Sequence, residues 1–179
     1  MKELILGGIR SGKSRLAEQR ALASGLAVTV VATATADDAE MQARIRHHQE
    51  RRPPHWSLVE EPQALAAALR AHAAPERCLL VDCLTLWLTN LLCAQDEARL
   101  QGELDVLLAT LPELPGRIIL VGNETGMGII PLGELSRRFC DEAGRLHQEL
   151  AQRCDRVIFT VAGLPHFLKG RDQGLGARD

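Results

Sequence analysis

Short runs of consecutive apolar residues alternate along the chain with longer stretches in which apolar positions recur every three or four residues. The runs fall at residues 4–7, 27–32, a weaker 57–59, 78–82, 117–122 and 156–161. They are continuous rather than alternating, which predicts strands covered on both faces, as in a parallel sheet. Helical patterns occupy 13–24, 37–51, 62–73, 84–92, 96–111 and 132–153, and Pro53-Pro54 closes the second of them. In the last, Leu135, Phe139, Ala143, Leu146 and Leu150 predict one buried stripe. Strand and helix in alternation predict an α/β domain with a mostly parallel central sheet and helices on both faces. The expected domain covers residues 1–170, with a frayed tail from 171 to 179 that lacks apolar anchors.

The first apolar run opens directly into Gly7-Gly8-Ile9-Arg10-Ser11-Gly12-Lys13-Ser14, which fits the phosphate-loop pattern G-x-x-x-x-G-K-S/T. A loop between a buried strand and a helix can aim several backbone N–H groups at a polyphosphate, and glycines let the backbone approach it closely. Lys13 then supplies a point charge for the β and γ phosphates, and Ser14 a hydroxyl ligand for Mg²⁺. A glycine-rich turn without a ligand would fit the pattern alone, but the strand before it and the helix after it favour a nucleotide site.

Length and charge narrow the classes. The 179 residues suffice for one self-supporting core. With a net charge of −2, dispersed basic residues and no Tyr, the chain has no footprint for nucleic acid and few stacking platforms. No apolar run approaches the ~20 residues of a membrane helix, and no signal peptide precedes the first strand, so the expectation is a cytoplasmic protein without membrane insertion. Five cysteines with no C-x-x-C spacing read as free buried thiols in a reducing compartment.

Two further elements carry candidate chemistry. Asp82 ends a buried run, the position from which an acidic residue supports Mg²⁺ at a nucleotide site; it could instead cap the next helix. In the helical pattern 37–51, Met41, Ile45 and His48 share one face, whereas Glu40, Arg44, His47 and Arg51 share another. His47 thus sits between two arginines. Neighbouring guanidinium groups disfavour its cationic form and attract phosphate, which suits a nucleophile toward phosphorus; a solvated polar face would carry the same residues.

Four segments in this order give a more specific pattern: the phosphate loop with Arg15; Ala32-Thr33-Ala34; Arg44-Ile45-Arg46-His47-His48 with Arg52-Pro53 and His55-Trp56; and Asn123-Glu124-Thr125-Gly126-Met127-Gly128-Ile129-Ile130-Pro131. Together they closely resemble the bifunctional adenosylcobinamide kinase / adenosylcobinamide-phosphate guanylyltransferases of cobalamin biosynthesis, over residues 4–169. The resemblance implies a RecA-like P-loop NTPase fold, a homotrimer and two reactions. ATP or GTP phosphorylates the aminopropanol hydroxyl of adenosylcobinamide. GTP then transfers GMP to adenosylcobinamide phosphate, releasing pyrophosphate, through a covalent histidine that matches His47.

Nucleotide contacts implied by the same resemblance fall on Gly7, Gly8, Ile9, Arg10, Ser11, Gly12, Lys13, Ser14, Thr33, Ala34, Thr35, Glu50, Arg51, Arg52, Pro53, Glu60 or its neighbour Glu61, and Asp82. Ser14 and Asp82 are the implied metal ligands. The chain departs from the family pattern in having Asp82 for Glu, Cys140 for Arg and His147 for Asn; the last two either alter contacts to the corrinoid or are tolerated packing changes. A P-loop kinase without guanylyl transfer and a non-catalytic nucleotide switch are the alternatives.

Overall fold

A computed structural model describes residues 1–35 and 53–171. In chain order these form β1 (Lys2–Gly7), α1 (Lys13–Leu22), β2 (Ala27–Ala32), β3 (Ser57–Glu60), α2 (Leu65–His72), β4 (Arg77–Asp82), α3 (Leu84–Cys93), α4 (Glu97–Thr110), a 3-10 turn (Leu111–Glu113), β5 (Arg117–Asn123), α5 (Glu134–Arg153), β6 (Arg156–Val161) and β7 (Leu164–Lys169). The strands make one sheet in the order β3-β2-β4-β5-β1-β6-β7. All neighbours are parallel except β6 and β7.

Alternate residues of each central strand enter opposite cores, which is why the runs are apolar throughout. Leu4, Leu6, Leu79, Val81, Ile118 and Leu120 pack with α2 to α5. Ile5, Val28, Val30, Leu80, Ile119 and Val121 pack on the other face with Leu16, Ala17 and Ala21 of α1. One strand, β5, separates β1 from β4. The strand leading into the phosphate loop and the strand ending in Asp82 are therefore second neighbours, the arrangement of a RecA-like P-loop NTPase fold.

Three expectations need correction. The long helix starts at Glu134, and Leu135 is 56% exposed, so the buried stripe holds only from Phe139 onward. The thiols are not uniformly buried: Cys93 is exposed and Cys140 intermediate. An additional strand, β7, returns along β6 through a turn at Ala162 and Gly163, both at positive φ. Pro165 near its start suits an edge strand, where one missing N–H costs no ladder bond. The 37–51 helix and the 172–179 tail lie outside the described residues.

At the opposite edge from the phosphate loop, Glu3 is completely buried among arginines. Its Oε2 lies 2.5 Å from Arg20 Nε and 3.4 Å from Arg156 Nη1, and Oε1 accepts from Arg117. Removing the carboxylate would leave guanidinium groups facing one another in low dielectric. Glu3→Gln is accordingly expected to cost about 3–5 kcal/mol in urea unfolding; a cost below about 1 kcal/mol would show that α1, β5 and β6 do not depend on it.

Candidate active site

Between β1 and α1 the loop is shaped by close backbone contact. Arg10 and Gly12 adopt positive φ, 56° and 94°. Ser11 N–H donates to Gly8 O (3.2 Å), and Gly163 N–H, from the β6–β7 turn, donates to Ser11 O (2.8 Å). A Cβ on Gly7 would stand 2.5 Å from both Ser11 Oγ and Thr160 O, so only glycine fits where the strand enters the loop. Among the described residues no side chain caps α1. Its first-turn N–H groups consequently have neither an intrahelical acceptor nor a capping one, and with the helix dipole they favour an anion.

Gly7 is flanked in the sheet by Asn123 of β5 and Thr160 of β6. Asn123 Oδ1, Thr160 Oγ1 and Ser11 Oγ are buried and have no hydrogen-bond partner among the described residues. Three orphaned oxygens around one glycine mark a place built for polar company. The sequence reading missed Asn123 and Thr160 as site residues. A signal existed for Thr160, a polar residue interrupting the apolar run of β6; Asn123 stood in the sequence only as part of the segment that carries the family resemblance.

Lys13, first residue of α1, donates from Nζ to Gly8 O at 3.2 Å. Burial lowers its pKa, while the nearby Cys83 and Asp82 side chains oppose that shift. Asp82 at the end of β4 is thus close enough to Lys13 to be felt electrostatically. The N-cap of the helix after it is Cys83. Ser14 follows Lys13 in the first turn of α1 and is half-buried.

The remaining predicted contacts are spread along the same sheet edge. Thr33, fully buried, clasps the turn after β4: its Oγ1 donates to Cys83 O (2.7 Å) and accepts from Cys83 N–H (2.9 Å). Ala34 and Thr35 follow it, half-buried. Glu60 ends the edge strand β3 and is exposed; Glu61 Oε1 instead accepts the N–H groups of Gln63 and Ala64, both at 2.8 Å. Pro53 is half-buried. Asp82 stands two strands from the phosphate loop and within electrostatic reach of Lys13, Thr33 is bonded to Asp82 O and to the turn after it, and Glu60 stands farther out on the edge strand β3. His47, with Arg44, His48, Glu50, Arg51 and Arg52, lies outside the described residues.

Glu124 follows β5, and its N–H donates to Gly7 O (3.1 Å), tying it to the entrance of the loop. Its Oε1 accepts Gly126 N–H (2.6 Å), and its Oε2 is 3.8 Å from Nδ1 of His147. Burial holds the His147 imidazole below its ordinary pKa of 6.5, and Glu124 opposes this more weakly. At neutral pH the contact is therefore carboxylate to neutral ring, not an ion pair. As pH falls below 6.5, the unfolded chain binds a proton that the folded one resists, and stability is lost. His147→Asn should remove that component, giving a smaller drop in the urea midpoint between about pH 7.5 and 5.5 than the wild type; an equal or larger drop would show that His147 is not responsible.

Among the described residues, no helix is long and apolar enough to cross a membrane. A family model described as cobinamide kinase / cobinamide phosphate guanyltransferase matches residues 3–168. The chain is 67% identical over 170 residues to the bifunctional adenosylcobalamin biosynthesis protein CobP of Pseudomonas aeruginosa, covering 95% of this chain and 98% of the relative. It is 38% identical over 177 residues to the bifunctional adenosylcobalamin biosynthesis protein CobU of Salmonella typhimurium, covering 92% and 97% respectively. Among solved structures, the RadB recombinase aligns over 88% of this chain and 73% of that chain, with 19% identity and a TM-score of 0.48. The match across nearly the whole chain, on a sheet that presents a phosphate loop, means that this protein is an enzyme of the cobinamide kinase / cobinamide phosphate guanyltransferase family.

Proposed function

We propose that the protein uses ATP or GTP to phosphorylate the aminopropanol hydroxyl of adenosylcobinamide, then transfers GMP from GTP to the resulting phosphate by way of a covalent bond to His47. The observation that carries the kinase half is the phosphate loop: Gly7 hemmed in by Ser11 and Thr160, the uncapped first turn of α1, and Lys13 beside it. Backbone N–H groups would hold the β and γ phosphates, and Lys13 would neutralise charge developing as the γ-phosphoryl group leaves one oxygen for another.

The available oxygen donors suit Mg²⁺. Ser14 and Asp82 offer a hydroxyl and a carboxylate, and among the described residues no cluster of three His, Cys, Asp or Glu forms a closed cage. That is the pattern for a cation that keeps waters and takes most remaining ligands from substrate phosphates. When bound, Mg²⁺ supplies charge neutralisation on the polyphosphate. Ser14 and Asp82 would hold it, and Lys13 would remain free to follow the transferring group.

In the guanylyl half, a neutral imidazole at His47 attacks the α-phosphorus of GTP, the bond to the pyrophosphate oxygen breaks, and the N–P bond carries GMP. The phosphate of the corrinoid then displaces the imidazole. This assignment rests on the arginine-flanked helical spacing in the sequence and on the family's chemistry. Thr33 to Thr35, Glu60 and the 50–53 segment are the residues proposed to meet the guanine nucleotide.

The same reading includes a cytoplasmic homotrimer. Ile129 and Leu132, each 98% exposed, and Leu164 at 71% provide apolar surface of the kind that a subunit contact covers. The single test is incubation of the wild-type protein with Mg²⁺, adenosylcobinamide and GTP labelled at the α-phosphate. The expected result is labelled adenosylcobinamide-GDP, preceded by a labelled protein. Formation of adenosylcobinamide phosphate with no label in either would leave a kinase without guanylyl transfer.

A further inference from the structure

Several carboxylates end or follow strands at the phosphate-loop edge of the sheet, and strand order separates what each can reach. Glu60 ends β3 and Glu61 follows it, four strand spacings from β1, or roughly 19 Å. Asp82 is two spacings away, about 10 Å, which suits support of a polyphosphate-bound cation rather than contact with the γ-phosphoryl acceptor. Glu124 comes from the strand adjacent to β1, and its own N–H is bonded to Gly7 O. Of these side chains it has the shortest path to the phosphate loop.

The surroundings of Glu124 fix the side chain yet leave one oxygen available. Oε1 is occupied by Gly126 N–H at 2.6 Å. Oε2 faces Nδ1 of His147 at 3.8 Å, beyond hydrogen-bond length. Two glycines make room for this pair. A Cβ on Gly122 would lie 3.1 Å from His147 Nε2, and a Cβ on Gly126 would lie 3.1 Å from Glu124 Oε1. The side chain of His147 is 11% exposed, set from α5 against the carboxylate. A buried, neutral ring there restrains the carboxylate without placing a fixed positive charge against it.

We propose that Glu124 is the general base of the phosphorylation half-reaction and that His147 is its positioning residue. The proposal rests on the kinase half of the function given above. The acceptor hydroxyl oxygen attacks the γ-phosphorus while its proton passes to Glu124 Oε2. The new O–P bond forms as the bond from γ-phosphorus to the β–γ bridging oxygen breaks, and the nucleoside diphosphate departs with that electron pair. Glu124 then returns the proton to solvent.

Steady-state phosphorylation of adenosylcobinamide by wild type, Glu124→Gln, Glu124→Asp and His147→Ala tests it. Glu124→Gln keeps an acceptor for Gly126 N–H but not the base, so kcat should fall by about 100-fold or more, with KM for both substrates within about threefold. Glu124→Asp, which retains the carboxylate with shorter reach, should lose less, and it stands in if the Gln variant does not fold. His147→Ala should lower kcat by about tenfold at unchanged KM through misplacement of the carboxylate. A wild-type protein that phosphorylates no adenosylcobinamide would remove both the kinase reading and this assignment. Wild-type activity alongside a Glu124→Gln kcat within about threefold, or with KM raised and kcat unchanged, would overturn the assignment alone.

Discussion

A His47→Ala variant is expected to take up no label from GTP carrying label in its α-phosphate, while still converting adenosylcobinamide to its phosphate. The reason is the division of labour between a histidine nucleophile and a phosphate loop that lies elsewhere in the chain. Without the imidazole nitrogen no N–P bond can form, so GMP transfer stops and the phosphorylated corrinoid accumulates. The wild-type label should be released by acid and survive alkali. Acid protonates the second nitrogen and makes imidazole a good leaving group, whereas the anionic phosphoramidate repels hydroxide. The chain has six histidines, so His48→Ala and His147→Asn serve as controls that should keep the label. Persistence of the label in His47→Ala would move the nucleophile to another residue.

Lys13→Ala should have the largest effect on the other reaction, lowering phosphoryl transfer by about 10²- to 10³-fold. The ammonium is partly withdrawn from water and already tethered to the loop through Gly8 O, so little reorganisation is needed when phosphate charge develops. Lys13→Arg should recover only part of the loss. A planar guanidinium is bulkier than a point-like ammonium and meets phosphate through a fork rather than a single apex. Rates of phosphoryl transfer near wild type in Lys13→Ala, measured in single turnover, would remove the phosphate loop from the mechanism.

The parallel sheet was legible because burial on both faces forces continuous apolar runs, and β2 and β6 fall where those runs predict. The edge strand β7 was not. Leu164, Pro165 and His166 carry no run of buried residues, since the strand is mostly exposed, and only the Ala162-Gly163 turn hinted at it. Leu135 misled because its spacing from Phe139 continues the helical stripe into the first turn of α5, where the side chain is 56% exposed.

At the site, Gly7 to Ser14 and Asp82 could be read directly, since a strand–loop–helix motif fixes its own local geometry. The pairing of Glu124 with His147 could not. They are 23 positions apart, and what joins them is the packing of α5 across the end of β5. Sequence spacing registers His147 only as an unusual residue on a helix. The unpaired oxygens of Asn123 and Thr160 likewise become apparent only when two strands flank Gly7.

The β6–β7 turn gives the phosphate loop a dependence that its motif does not display. Gly163 N–H holds Ser11 O, and a Cβ on Gly12 would come within 3.0 Å of Gly163 Cα. The eight-residue signature near the beginning of the chain thus takes its shape partly from a hairpin more than 140 residues later. It is not a portable cassette: transplanted with β1 and α1 alone, it would carry the glycines and the lysine but lose the brace that sets their backbone.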